Sequence, residues 1–188
     1  MAQFLLLKNT SSIRNRDNME QLILVDKNDR ELGFIEKEEA HKGDLPLHRA
    51  FSIFIFNSRG EMLIQKRSTE KKTFSGIWAN ACCSHPRKGE HLEDAIKRRL
   101  KEELGFVTQL RELFSFVYKA RMGEWGEHEL DHVFLGRYDG PVKPNKDEIE
   151  EWKFVSIDEL KKDVRQNPDK YGAWFKLAYE RVIEEVEK

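Results

Sequence analysis

Two short stretches hold the residue types that move protons and bind metals. The first is Ile77-Trp78-Ala79-Asn80-Ala81-Cys82-Cys83-Ser84-His85-Pro86. In an extended chain alternate side chains share a face, so Cys83 and His85 point one way and Cys82 the other. Cys82 reads as a small buried residue, and Cys83 alone would read the same way. Its pairing with His85 draws it toward a functional face. The second stretch is Trp125-Gly126-Glu127-His128-Glu129-Leu130-Asp131. Glu127 and Glu129 share a face, with Asp131 next along, although an exposed polar face of an antiparallel sheet has the same pattern. His128 and His132 fall on the opposite face and receive no role. Adding His41 and His48, each weak alone, makes a set of three imidazoles and two carboxylates: His41, His48, His85, Glu127 and Glu129. Such a donor set suits one first-row divalent ion, Zn²⁺ or Mn²⁺. The five positions lie far apart along the chain, so only the fold can bring them together.

A third feature lies on a helix expected from His91 to Leu104, with His91 at its surface start and Gly105 as its cap. Leu92, Ala95, Ile96, Leu100 and Leu104 form an apolar arc at 100° per residue. Arg99 and Glu103 fall inside that arc. They read either as an i,i+4 ion pair reaching past the core or as polar groups aimed at a site beneath the helix. The segment resembles the Nudix signature, in which a glycine and a glutamate precede an Arg-Glu-x-x-Glu-Glu-x-Gly helix. Glu90, Arg98, Glu102, Glu103 and Gly105 match it. Ser84 stands in place of the glycine and Arg99 in place of the first helical glutamate. The Arg reverses a charge in a carboxylate cluster that would gather several cations, which points to a diphosphate held rather than cleaved.

The elements that must position these groups follow from pattern. Gln21–Val25 and Glu31–Ile35 read as a hairpin through Asn28-Asp29, and Glu36–His41 as one helical turn. His48–Phe56 is a buried strand, and Glu61–Arg67 returns after a turn at 57–60. Residues 79–85 are expected to be extended. Val107–Ala120 and Glu127–Tyr138 form a long hairpin through Gly123-Glu124-Trp125-Gly126. Glu151–Val155 is a short strand, Ser156-Ile157-Asp158-Glu159 a capping box opening a helix, and Ala173–Glu187 a final helix. The fold class expected is α+β. Residues 1–18 read as a flexible extension before a single domain over 19–188, with a start at Met19 as a live reading.

Composition excludes several functions. The chain has 188 residues, and 33 basic against 34 acidic residues leave a net charge of −1, which carries no nucleic-acid or membrane footprint. The apolar run Phe4–Leu7 is too short for a leader or a span. Cys82 and Cys83 are adjacent and resist bridging, which fits a reducing, cytoplasmic setting. Oligomeric state is not legible.

Read together, the segments resemble the type 1 isopentenyl-diphosphate isomerases, a branch of the Nudix fold with mixed and antiparallel sheets and flanking helices. The matching stretches are Lys37–Phe51, Leu63–Pro86, the helix to Gly105, 125–131, and Trp174-Phe175-Lys176-Leu177. The resemblance implies an enzyme acting on a small isoprenyl diphosphate, with Cys83 and Glu129 as the acid/base pair and Tyr118 and Trp174 beside them. His41, His48, His85, Glu127 and Glu129 would hold one ion, and Glu103 a Mg²⁺ bridging the diphosphate. Lys37, Arg67, Lys71 and Arg99 would contact the diphosphate. Trp174 also reads as a core residue of an amphipathic helix. A nucleotide-diphosphate hydrolase and a non-catalytic metal-stabilised module are the competing readings.

Overall fold

The structure, a computed structural model, describes residues 20–188. The expectations for residues 1–18 and for Met19 lie outside them. Strands β1 (Gln21–Val25) and β2 (Glu31–Glu36) form the first hairpin, whose turn is tied by Asp26 accepting from the amides of Asn28 and Arg30. One helical turn, α1 (Lys37–Ala40), leads to the central strand β3 (His48–Phe56). β4 (Met62–Arg67) returns antiparallel beside it.

The extended run expected at 79–85 divides at Ala81 into β5 (Trp78–Asn80) and β6 (Cys82–Ser84). These two short strands pair with different neighbours, β5 with β4 and β6 with β3. The helix α2 (Leu92–Leu104) follows. β7 (Leu110–Met122) and β8 (Trp125–Arg137) form the long hairpin, with ends shifted by a few residues from the expected ones. β9 (Ile149–Val155) begins two residues earlier than expected and pairs with β4. Ser156 caps α3 (Ile157–Gln166) as its sequence signals, and after a 3₁₀ turn at 168–170 the chain ends in α4 (Ala173–Glu187).

β3 organises the sheet. One edge runs parallel to β8 from His48 to Phe56. The other edge meets β1, β6 and β4 in succession. Its two faces divide the core. Phe51, Ile53 and Ile55 pack with Cys82 and the apolar stripe of α2, whereas Phe54 and Phe56 pack with Trp174, Phe175 and Tyr179 of α4. Both faces are covered, which accounts for the nearly unbroken apolar run in β3. No helix among the described residues is long and apolar enough to cross a membrane.

Gly105 closes α2 with φ 79°, and a Cβ there would stand 2.9 Å from the Lys143 carbonyl oxygen. Replacing Gly105 with Ala is therefore expected to cost about 1–3 kcal/mol, from left-handed strain plus that contact. Urea unfolding of Gly105→Ala would show it as a lowered midpoint at unchanged slope; an unmoved midpoint contradicts the assignment.

Candidate active site

Strand register brings the distant residues together. On one side of β3, His48 pairs with Glu129 of β8; on the other, Ser52 pairs with Cys83 of β6. Along the β7–β8 hairpin, Tyr118 stands opposite Glu129 and Ala120 opposite Glu127. Side chains alternate across a strand, so these pairings put His48, Ser52, Cys83, Tyr118, Glu127, Glu129 and Asp131 at one wall. That wall borders a pocket of about 260 Å³. Glu127 and Glu129 are buried rather than on an exposed polar face.

His41 arrives from the end of α1, held where its carbonyl accepts from the Gly126 amide at 2.9 Å. One atom each from His41, His48, His85 and Glu129 lie within 4.8 Å of one another, all four residues buried. Three Nε2 atoms surround Glu129 Oε1, His85 at 2.8 Å, His48 at 3.6 Å and His41 at 3.9 Å. On their far sides, His41 Nδ1 donates to the Lys37 carbonyl at 2.6 Å and His48 Nδ1 to the Pro46 carbonyl at 3.0 Å. A backbone acceptor at Nδ1 fixes the tautomer with a bare Nε2, the form that binds metal. His48 Nε2 and His85 Nδ1 are buried without hydrogen-bond partners. The set fits one divalent ion. Glu127 stands just outside the four, joined to them through Tyr118, whose hydroxyl lies 2.5 Å from Glu129 Oε2 and 2.8 Å from Glu127 Oε2.

The electrostatics agree with ligation. Burial lowers His41 and takes His85 down to about 3, so both rings are neutral near pH 7. Burial alone would raise Glu129, but His48 and His85 outweigh it and hold it below the ordinary carboxylate range. Glu127 moves the other way, raised by burial and by the Glu129 charge. Neutral imidazole and ionised carboxylate are the forms a cation requires.

Cys83 lines the pocket opposite this cluster. Burial, then the Asp131 charge, push its thiol well up, so it holds its proton at neutral pH. Its Sγ lies 3.0 Å from Asn80 Oδ1, and the Trp174 Nε1–H lies 3.0 Å from that sulfur. Ser52 Oγ stands 3.8 Å away and donates to Asp131 at 2.8 Å. Cys82 faces the other way, into the core beneath α2.

The basic residues form the pocket's rim, each already engaged. Lys37 meets Glu20 at 2.7 Å, and Lys71 pairs with Glu148. Arg99 bridges Glu103 at 2.5 Å and Glu148 at 2.9 Å. Glu103 is 1% exposed, with Oε2 unpartnered. Both readings of that pair hold in part: it is an i,i+4 bridge, and Arg99 lines the pocket. Arg67 donates to the carbonyls of Phe74 at 3.0 Å and Thr73 at 2.9 Å, and so clamps the 68–77 loop while bordering the pocket.

Sequence pattern missed Asn80, Ser52 and Glu148. Asn80 sat unremarked in the Cys-His segment, Ser52 is hidden in an apolar run, and Glu148 lies on a loop without periodicity. His132 carries no site role and sits between Glu112 and Asp29 on the sheet's far side.

A three-dimensional neighbour is the Deinococcus radiodurans protein DR0079, with a TM-score of 0.70 at 22% identity over 86% of this chain and 98% of that one. A MutT protein from Methanosarcina mazei has a TM-score of 0.60 at 24% identity, over 76% of this chain and 97% of that one. Residues 46–175 match the NUDIX domain model, so fold and sequence define a Nudix protein. At the sequence level the chain is 46% identical over 165 residues to isopentenyl-diphosphate Delta-isomerase 2 of Aromatoleum aromaticum, covering 87% of each. It is 44% identical over 163 residues to isopentenyl-diphosphate Delta-isomerase of Burkholderia multivorans, covering 86% of this chain and 92% of that one. The chain belongs to the isopentenyl-diphosphate Delta-isomerase family of Nudix proteins.

Burial alone would raise Glu148, but Lys71 and Arg99 outweigh it and hold the carboxyl down to about 2, against an ordinary value of 4.5. A depressed carboxylate stabilises the fold above its unfolded pKa and loses that contribution as pH falls through the folded one. Glu148→Gln is therefore expected to be less stable than the parent at pH 7, with the gap closing between about pH 5 and pH 2. Thermal unfolding across that range checks it; a gap independent of pH contradicts it.

Proposed function

We propose that the chain interconverts isopentenyl diphosphate and dimethylallyl diphosphate, supplying the building blocks of isoprenoid synthesis. The observation that carries the reading is that Cys83 and Glu129 line one pocket from strands on opposite edges of β3. The reaction adds a proton to the terminal alkene carbon and removes one from the neighbouring methylene, through a tertiary carbocation-like state. It needs one proton donor and one acceptor on opposite faces of a flat five-carbon group. A protonated thiol and an ionised carboxylate meet that need.

His41, His48, His85 and Glu129, with Glu127 beside them, would hold one Zn²⁺ or Mn²⁺, whose charge would fix the Glu129 carboxylate and tune its proton affinity. Glu103, buried with a free oxygen, would help hold a Mg²⁺ that neutralises the substrate diphosphate. Lys37, Lys71 and Arg99 would bind the diphosphate by exchanging carboxylate partners for phosphate oxygens, with Arg67 at the same wall. The Tyr118 hydroxyl, with one proton, would donate to one of Glu127 and Glu129 at a time and favour the charged form of that carboxylate. Trp174 packs at 2% exposure beside Cys83, where an indole face stabilises a desolvated cation by about 2 kcal/mol and offers no nucleophile to trap it. Arg99 in place of a helical carboxylate disfavours multi-metal hydrolysis.

The chain is expected to form dimethylallyl diphosphate from isopentenyl diphosphate, to lose that activity with chelator, and to regain it with Mg²⁺ plus Zn²⁺ or Mn²⁺. Cys83→Ala and Glu129→Gln should each lower turnover by at least about 100-fold with unfolding temperatures kept within a few degrees. Phosphate release from nucleotide diphosphates without isomerisation contradicts the reading. His48→Ala should weaken Zn²⁺ binding by more than about 10-fold in a competition titration; unchanged affinity removes His48 from the metal set.

A further inference from the structure

Asn80 is fully buried and takes no part in the mechanism above, yet every hydrogen-bonding position of its side chain is used. Its Nδ2 donates to the Ile53 carbonyl at 3.1 Å and to the Cys82 carbonyl at 3.0 Å. Its Oδ1 accepts from Cys83 Sγ–H at 3.0 Å and from Trp174 Nε1–H at 3.1 Å. The orientation of the amide is not free. Reversing it would set its oxygen against two carbonyls and its NH₂ against an indole that can only donate. The two backbone carbonyls, one on β3 and one on β6, therefore aim Oδ1 at the junction of thiol and indole.

We propose that Asn80 is the positioning residue of this site, its carboxamide oxygen locking the Cys83 thiol and the edge of Trp174 into one unit. An amide oxygen only accepts, so the sulfur that touches it presents its hydrogen to it. The thiol proton rests on Asn80, away from the pocket, and reaches a substrate carbon by rotation about the Cβ–Sγ bond. The Trp174 N–H is shared between that oxygen at 3.1 Å and the Cys83 sulfur at 3.0 Å, which fixes the plane of the indole beside the reacting group. This inference rests on the isomerase reading for its consequence, though not for its geometry.

Two measurements test it. The first needs no turnover: the S–H stretching band of Cys83, assigned by its disappearance in Cys83→Ser, is recorded by Raman spectroscopy in the parent chain. A band shifted down from that of a free thiol, and returning toward it in Asn80→Ala, is expected; an unshifted band overturns the proposal even in a fully active enzyme. The second is the kinetics of Asn80→Ala and Asn80→Asp. Asn80→Ala should lower kcat by about 100-fold at an unchanged KM, because a misaimed proton donor costs rate and not binding. Asn80→Asp, buried and therefore protonated, keeps an acceptor at Oδ1 and one O–H donor toward the two carbonyls, and should recover at least a tenth of the parent kcat. A lowered kcat together with a raised KM and a lowered unfolding temperature in both variants assigns Asn80 a merely structural role and overturns the proposal. A parent chain with a shifted band and no isomerase activity would remove the functional reading and leave the geometry standing.

Discussion

The site depends on one energetic problem, the burial of the ionised Glu129 carboxylate inside the sheet. An isolated buried charge is prohibitively costly unless it is paired, hydrogen-bonded or bound to a cation. The fold answers with the Tyr118 hydroxyl on Oε2 and with three imidazole nitrogens around Oε1, a cluster of donors whose lone pairs suit one shared cation. Each partner comes from a different element: His41 from the end of α1, His48 from β3, His85 from just after β6, and Tyr118 from β7. Their meeting point is set by β3, whose parallel register with β8 puts His48 beside Glu129. A slip of one residue in that pairing would turn Glu129 to the other face, where Leu130 packs against Ile23 and Val25, and scatter the cluster.

The same sheet separates the two groups proposed to carry protons. Because β6 and β8 lie on opposite edges of β3, Cys83 and Glu129 cannot reach each other as neighbours along a strand, and a flat molecule can lie between them. Their proton affinities diverge for physical reasons on either side. Burial and the Asp131 charge outweigh nearby Arg67 and keep the thiol's proton on, while His48 and His85 outweigh burial and keep the carboxylate's proton off. At the rim Lys37, Lys71 and Arg99 are paired with Glu20, Glu103 and Glu148, so on the proposed reading a diphosphate would enter as a substitute anion.

Much of this was legible along the chain. Alternation in the Cys-Cys-Ser-His stretch separated Cys83 from Cys82, and the helical arc exposed Arg99 and Glu103 as charges in an apolar setting. Element types followed from strong periodicity, as in β3 and α2. What could not be read were long-range choices. The break at Ala81, which gives β5 and β6 different partners, is a decision of the sheet and has no local marker. The burial of Glu127 and Glu129 was indistinguishable from an exposed polar face until β3, β7 and β8 were assembled. Ser52, Asn80 and Glu148 are single polar residues whose meaning lies only in what stands opposite them. Arg67 looked like a phosphate ligand and is also a clamp on two loop carbonyls, a contact six and seven residues along that periodicity does not describe.

His41, His48, His85 and Glu129 converge within 4.8 Å beside the Cys83 pocket, where they would hold one cation. Anomalous diffraction at the zinc edge, from crystals of the chain loaded with Zn²⁺, addresses it directly. One strong peak is expected about 2.0–2.2 Å from a nitrogen of each of the three imidazoles and from a Glu129 oxygen. A peak elsewhere on the molecule, with those side chains unligated, would contradict it.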